Sequence, residues 1–123
     1  MDAATLARIA AASRAAIGVA LLVAPRPVAK AWIGDAADHP GTLVAVSGMG
    51  MRDLALGLGT LWSLGERRRK PRPWLVGSGA ADAADLVATV RSRDGLGTAA
   101  AVATVALAGG SAALHAWLQS ELD

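Results

Sequence analysis

From Leu96 to Leu118 the chain reads LGTAAAVATVALAGGSAALHAWL, a stretch without a single Asp, Glu, Lys or Arg. A soluble helix of that length carries a charged face toward water, and this one has no residues to build it. The stretch is therefore expected to cross a bilayer, where every backbone amide must be satisfied within the helix itself. Three further segments, Thr5–Ala24, Gly41–Leu64 and Trp74–Val90, are similarly apolar and are bounded by charge, Pro or Gly. The resulting expectation is an all-α fold, a four-transmembrane-helix bundle with antiparallel neighbours, in a single domain over residues 1–123.

Composition points the same way. The chain is 54% hydrophobic, has no Phe or Tyr and only four Trp, so Ala, Val, Leu and Gly would have to fill a soluble core that they fill poorly. Lipid contact removes that requirement. The tryptophans Trp32, Trp62, Trp74 and Trp117 all fall near span ends, where an indole ring keeps its N–H hydrated. With no Cys, disulfide and thiolate chemistry are excluded, and the redox compartment stays open.

Five of the twelve Lys and Arg residues lie in GERRRKPRP, Gly65 to Pro73. By the positive-inside rule this loop faces the cytoplasm of a plasma-membrane protein, with both termini on the same side. Arg67, Arg68, Arg69, Lys70 and Arg72 are placed to meet lipid headgroups, and the run is too short and too poor in aromatics for nucleic acid. On the opposite side, Val28–Ile33 suits a short interfacial turn, and Asp94-Gly95 marks a tight connection. Ala29-Lys30-Ala31 imitates a signal-peptide cleavage site, but Pro25 and Pro27 intervene, so the first segment is expected to remain as a span.

Charges inside the spans are the informative exceptions. Arg14 falls near the middle of the first, Arg52 and Asp53 near the middle of the second, and Asp82 and Asp85 within the third. Antiparallel packing sets all five at similar depth. An isolated charge there costs ~2.5–3.5 kcal/mol on insertion scales, so mutual pairing is expected. Ser78, Asp82, Asp85 and Thr89 make one helical stripe, Ala7, Ala11, Arg14 and Gly18 another, and Gly48, Arg52, Ala55 and Gly59 a third of small residues around an arginine. Two guanidinium groups against three carboxylates leave one negative charge in excess.

Other constellations carry less. Gly77-Ser78-Gly79 resembles the start of a dinucleotide fingerprint without a preceding strand. His39 and His115 are expected on opposite sides, too far apart to share a metal, and neither Ser47 nor Ser111 is expected to lie near a His and an Asp. The sequence thus predicts no catalytic site and no cofactor.

The succession Arg14-x-x-x-Gly18, Trp32-Ile33-Gly34, Gly50-Met51-Arg52-Asp53-Leu54-Ala55-Leu56-Gly57-Leu58-Gly59 and Asp82-Ala83-Ala84-Asp85 resembles small four-helix integral membrane proteins of high-GC actinobacteria, grouped as domains of unknown function. A looser likeness to DoxX-like four-helix proteins rests on architecture alone. The resemblance implies the fold and the membrane, and no activity. Two function classes follow as expectations: a structural or accessory membrane protein, with small-residue faces available for self-association or a larger partner, and a homo-oligomeric proton-coupled transporter using Asp82 or Asp85.

Overall fold

A computed structural model describes residues 1–65 and 70–122. Among these residues there are five α-helices and no strand: α1 Ala3–Val23, α2 Pro25–Ile33, α3 Pro40–Gly65, α4 Arg72–Arg91 and α5 Thr98–Glu121. The four long helices coincide with the four apolar segments to within a few residues at each end. Arg67, Arg68 and Arg69 lie outside the described residues, so only Lys70 and Arg72 of the basic loop are placed, both exposed.

Local chemistry accounts for the boundaries. Asp2 caps α1, its carboxylate accepting the Thr5 amide at 2.7 Å. Pro25 and Pro73 occupy first-turn positions of α2 and α4, where a missing N–H costs nothing. At the other end of α3, Arg8 Nη2 reaches from α1 to the Leu64 carbonyl at 3.3 Å, one of the acceptors a helix end leaves open. This bond also fixes α1 antiparallel to α3.

Val28–Ile33, expected as a turn, belongs instead to the nine-residue α2, whose Ala29 packs into a cluster with Leu21, Ala37 and Val46. Two prolines in the first turn start that helix and Gly34, at φ 61°, ends it in the left-handed region that favours glycine. Beyond Gly34, a 3-10 turn over Gly34–Asp38 brings Asp38 Oδ2 to 3.0 Å from Lys30 Nζ.

Side-chain size decides the packing. In α1, Ala7, Ala11, Arg14 and Gly18 are all buried, the face expected from their spacing. The matching face of α3 differs from the expected one: Gly48 has open space around it and Ala55 is exposed, whereas Gly50 and Gly57 meet α1. A Cβ on Gly18 would come within 2.6 Å of the Gly50 carbonyl oxygen, and one on Gly57 within 2.6 Å of the Ala11 carbonyl oxygen. The α1 and α3 backbones are therefore in direct contact. Gly59 faces α4 instead, against the Trp74 ring.

α1 packs most extensively on α3, and α4 on α5, while α1 and α5 barely touch. Apolar clusters close the two ends of the bundle, Leu21, Ala29, Ala37 and Val46 at one and Ala7, Leu75 and Leu118 at the other. Between them the buried set is polar or small, with Arg14, Asp53, Ser78 and Asp82 among Ala11, Ala15 and Ala81. Outward-facing positions hold Ile9, Ile17, Val19, Val44, Val102 and Leu107, so the large apolar side chains cover the outside. Of the described helices, α1 and α5 are long and apolar enough to cross a membrane; glycines in α3 and aspartates in α4 dilute those two.

Replacing Gly18 or Gly57 by Val is expected to destabilise the protein by ~1–3 kcal/mol or more through overpacking, whereas Gly48→Ala should leave stability unchanged or slightly raised. Thermal melts in detergent check both. A pH effect is expected at α2. The hydrogen bond and charge of Lys30 hold the Asp38 carboxyl below its ordinary value, and Asp38 raises Lys30. The contribution of Asp38 is thus complete above the ordinary carboxylate range and is lost as pH falls through its depressed value. Protection factors of the amides in residues 34–39, which correct for the slower intrinsic exchange in acid, should fall on acidification, and Asp38→Asn should show that lower protection at neutral pH.

Candidate functional site

α1, α3, α4 and α5 each contribute to one polar centre at mid-bundle. Arg14, at 8% exposure, and Asp53, at 9%, face each other across the α1–α3 contact, where Arg14 Nη1 donates to Asp53 Oδ1 at 3.0 Å. The other terminal nitrogen of Arg14, Nη2, donates to Asp82 Oδ1 on α4. Arg52 forms a second set: Nε donates to Asp53 Oδ1 at 3.1 Å, and Nη1 and Nη2 grip both oxygens of Asp85 at 3.0 and 2.7 Å. This fork-to-fork pairing is the strong form of an Arg–carboxylate contact. All five charged residues singled out by the sequence are brought together. Their exposure differs, for Arg52 and Asp85 keep side chains 30% and 25% exposed.

Two residues join the centre against expectation. Ser111, placed by sequence reasoning away from any His and Asp, donates its hydroxyl to Asp82 Oδ2 at 2.7 Å. His115, four residues on and 3% exposed, sets Nδ1 2.8 Å from the Ser111 carbonyl oxygen and 3.4 Å from Asp82 Oδ2. A carbonyl can only accept, so Nδ1 carries a proton. The trio is not a nucleophile with its base, because Ser111 gives its proton to the carboxylate and the nearest imidazole nitrogen is itself a donor. The available signal was the i, i+4 spacing of Ser111 and His115, which stacks them on one face of a helix with no Asp, Glu, Lys or Arg before Glu121 at its end. His39 is exposed at the start of α3 and takes no part.

Neighbouring hydroxyls turn back on their own helices. Thr60, Thr89 and Thr104 each bond the carbonyl four residues earlier at 2.8 Å, which satisfies them without water. Thr104 also accepts the Trp32 indole N–H at 2.7 Å, tying α2 to α5.

A cleft of about 730 Å³ opens between α1 and α5, which barely touch each other. Its walls are small or apolar, among them Ile17, Ala103, Leu107 and Gly110, with Trp32 at one end. Arg14, Asp53, Asp82, Asp85, Ser111 and His115 line its polar part. A second hollow of about 660 Å³, by Lys30, Asp35 and Gly97, shares Ala31, Trp32, Ala100 and Ala103 with it. Volumes of this order suit a small molecule, and the combination of apolar walls with a few convergent polar groups suits one with an apolar body.

No protein-family model, curated protein or solved structure matches the chain.

Arg14→Met leaves Asp82 without its guanidinium partner and is expected to cost ~3–5 kcal/mol, whereas Asp82→Asn, after which Arg14 keeps Asp53, should cost less. Ser111→Ala should cost ~1 kcal/mol. The double variant Arg14→Met/Asp82→Leu is expected to recover part of the loss, because it removes one charge of each sign and leaves the network's excess of one carboxylate unchanged. Melting temperatures of the single and double variants, compared as a cycle, check the coupling.

Proposed function

We propose that the chain is a four-span protein of the plasma membrane whose polar centre clasps the helices in one arrangement, in a structural or accessory role. The observation that carries this reading is the inverted distribution of side chains: Val102 and Leu107 are 64% and 75% exposed while Arg14, Asp53 and Asp82 are buried. Water would penalise that arrangement, and lipid favours it. Lengths agree with the proposal. At 1.5 Å per residue, 20 residues in α4 and 24 in α5 extend for roughly 30 and 36 Å, against a hydrocarbon core of about 30 Å.

Gly48 and Ala55, exposed on α3, are small positions where a second copy or a larger membrane partner would pack closely. The resemblance to four-helix actinobacterial membrane proteins supports the same class and adds no reaction. A second reading has one observation in its favour: the centre holds one carboxylate more than guanidinium groups, and Asp82 and Asp85 both line the cleft. In that reading one of them carries a proton across as part of a coupled transporter.

The expected topology has both termini and the basic loop in the cytoplasm. In the chain without native Cys, Ser92→Cys should react with an impermeant maleimide on intact cells, and Ser120→Cys only after permeabilisation. The reverse pattern overturns the orientation. The functional choice is read in liposomes under an imposed pH gradient. A clasp predicts no proton flux above protein-free liposomes and an earlier melt for Asp85→Asn. A measured flux that a normally melting Asp85→Asn variant abolishes would overturn the clasp in favour of transport.

A further inference from the structure

We propose that the cleft between α1 and α5 binds a small neutral ketone, a compact apolar body whose one carbonyl oxygen accepts a hydrogen bond from Arg14 Nε. The proposal rests first on an unmet donor. Among the described residues, Arg14 Nε is the one buried side-chain nitrogen or oxygen with no hydrogen-bond partner. Both terminal nitrogens of Arg14 are engaged, Nη1 with Asp53 on α3 and Nη2 with Asp82 on α4. Across the cleft, α5 brings Nε no acceptor: the Ser111 hydroxyl is on Asp82, and His115 turns Nδ1 to the Ser111 carbonyl. Arg14 is 8% exposed and lines the cleft, so the acceptor that would offset its buried N–H can come from a molecule held there.

Charge and surroundings specify that molecule. An anion in the cleft would face Asp53, Asp82 and Asp85, and a cation would face Arg14 and carboxylates already paired. A neutral carbonyl oxygen meets neither penalty and still takes a hydrogen bond from a charged donor, the stronger kind. Beyond Arg14 the walls are apolar or small, and Gly110 leaves the space beside Ser111 open, since a Cβ there would meet nothing within 4 Å. Ile17 and Leu107, 53% and 75% exposed, border the cleft from α1 and α5. In a bilayer those side chains meet hydrocarbon, and a lipid-soluble ketone enters sideways between two helices that barely touch; this route rests on the membrane reading above. The ester carbonyls of the lipids themselves stay at headgroup level, whereas Arg14 lies near the middle of α1.

The test uses the full chain in phosphatidylcholine nanodiscs, with 2-adamantanone as probe and 2-methyleneadamantane, of the same shape without an acceptor, as its counterpart. Binding is read by calorimetry against empty discs and by NMR of the arginine side chains. The ketone is expected to bind saturably at one site per chain, about tenfold or more tighter than the hydrocarbon, and to move the Arg14 Nε–H resonance, which the hydrocarbon leaves in place. Gly110→Leu fills the open space without altering any group of the ion network; it should abolish binding while the melting temperature is kept or raised. Equal binding of the two probes, no saturable binding by protein incorporated in the discs, an Nε–H resonance that the ketone does not move, or unchanged binding by Gly110→Leu would each overturn the site. Protein that fails to enter the discs would overturn the membrane reading, and the bilayer route with it. Discs of ether-linked phosphatidylcholine, which carry no ester carbonyl, should give the same affinity; tighter binding there would make a lipid ester the occupant and overturn the small-ligand assignment. Dimers that exclude the ketone and that Gly110→Leu disrupts would overturn it as well.

Discussion

The carboxylate of Asp82 is where the bundle is joined. One oxygen takes Arg14 from α1 and the other takes Ser111 from α5, so a single side chain on α4 spans two helices that scarcely touch each other. Each of the two extensive helix pairs has its own adhesive: backbone contact at Gly18, Gly50 and Gly57 for α1 and α3, and the close approach of Gly79 to His115 for α4 and α5. Neither of those contacts orients one pair against the other. The ion network does, because Arg14 and Arg52 must both find carboxylates, and only one sliding and rotational register of α4 supplies Asp82 and Asp85 together.

This division of labour follows from the amino acids available. Ala and Gly allow helices to approach closely, and the gain is van der Waals contact, which needs no water to drive it. Such contacts are shallow and tolerate sliding. Charged groups are the opposite: expensive to bury alone, strongly directional once paired. A chain with an Ala-rich interior and few aromatics obtains adhesion from the first and specificity from the second, and its large aliphatic side chains are released to the surface.

The helices were legible because mostly apolar runs of this length, bounded by Pro, Gly or charge, are too long for strands. The polar stripe of α4 was legible too, since Ser78, Asp82, Asp85 and Thr89 repeat at helical spacing and charge in an apolar segment demands a partner. The α3 face was not. Several glycines within two turns offer more than one small face, and a step of two residues turns the helix by about 200°, so Gly48 and Gly50 cannot be separated without knowing where α1 lies. Ser111 and His115 were missed for a different reason. A hydroxyl and an imidazole do not carry the obligatory charge that announces a partner in an apolar segment, and only the position of Asp82 gives them one.

The gap between α1 and α5 follows from the same allocation. The terminal nitrogens of Arg14 bond Asp53 and Asp82, and α5 is held toward α4 where Ser111 meets Asp82, so α1 and α5 come together little except where Leu118 joins Ala7. Closing the gap by moving α5 would break the Ser111 and His115 contacts; closing it with larger residues would need side chains the sequence does not place there. A dry apolar void tolerates emptiness at modest cost, but this one is bordered by Arg14, whose Nε gains from any acceptor admitted beside it. The clasp that makes the bundle specific is therefore also what gives the cleft its chemistry, and a substitution in the clasp cannot alter one without the other.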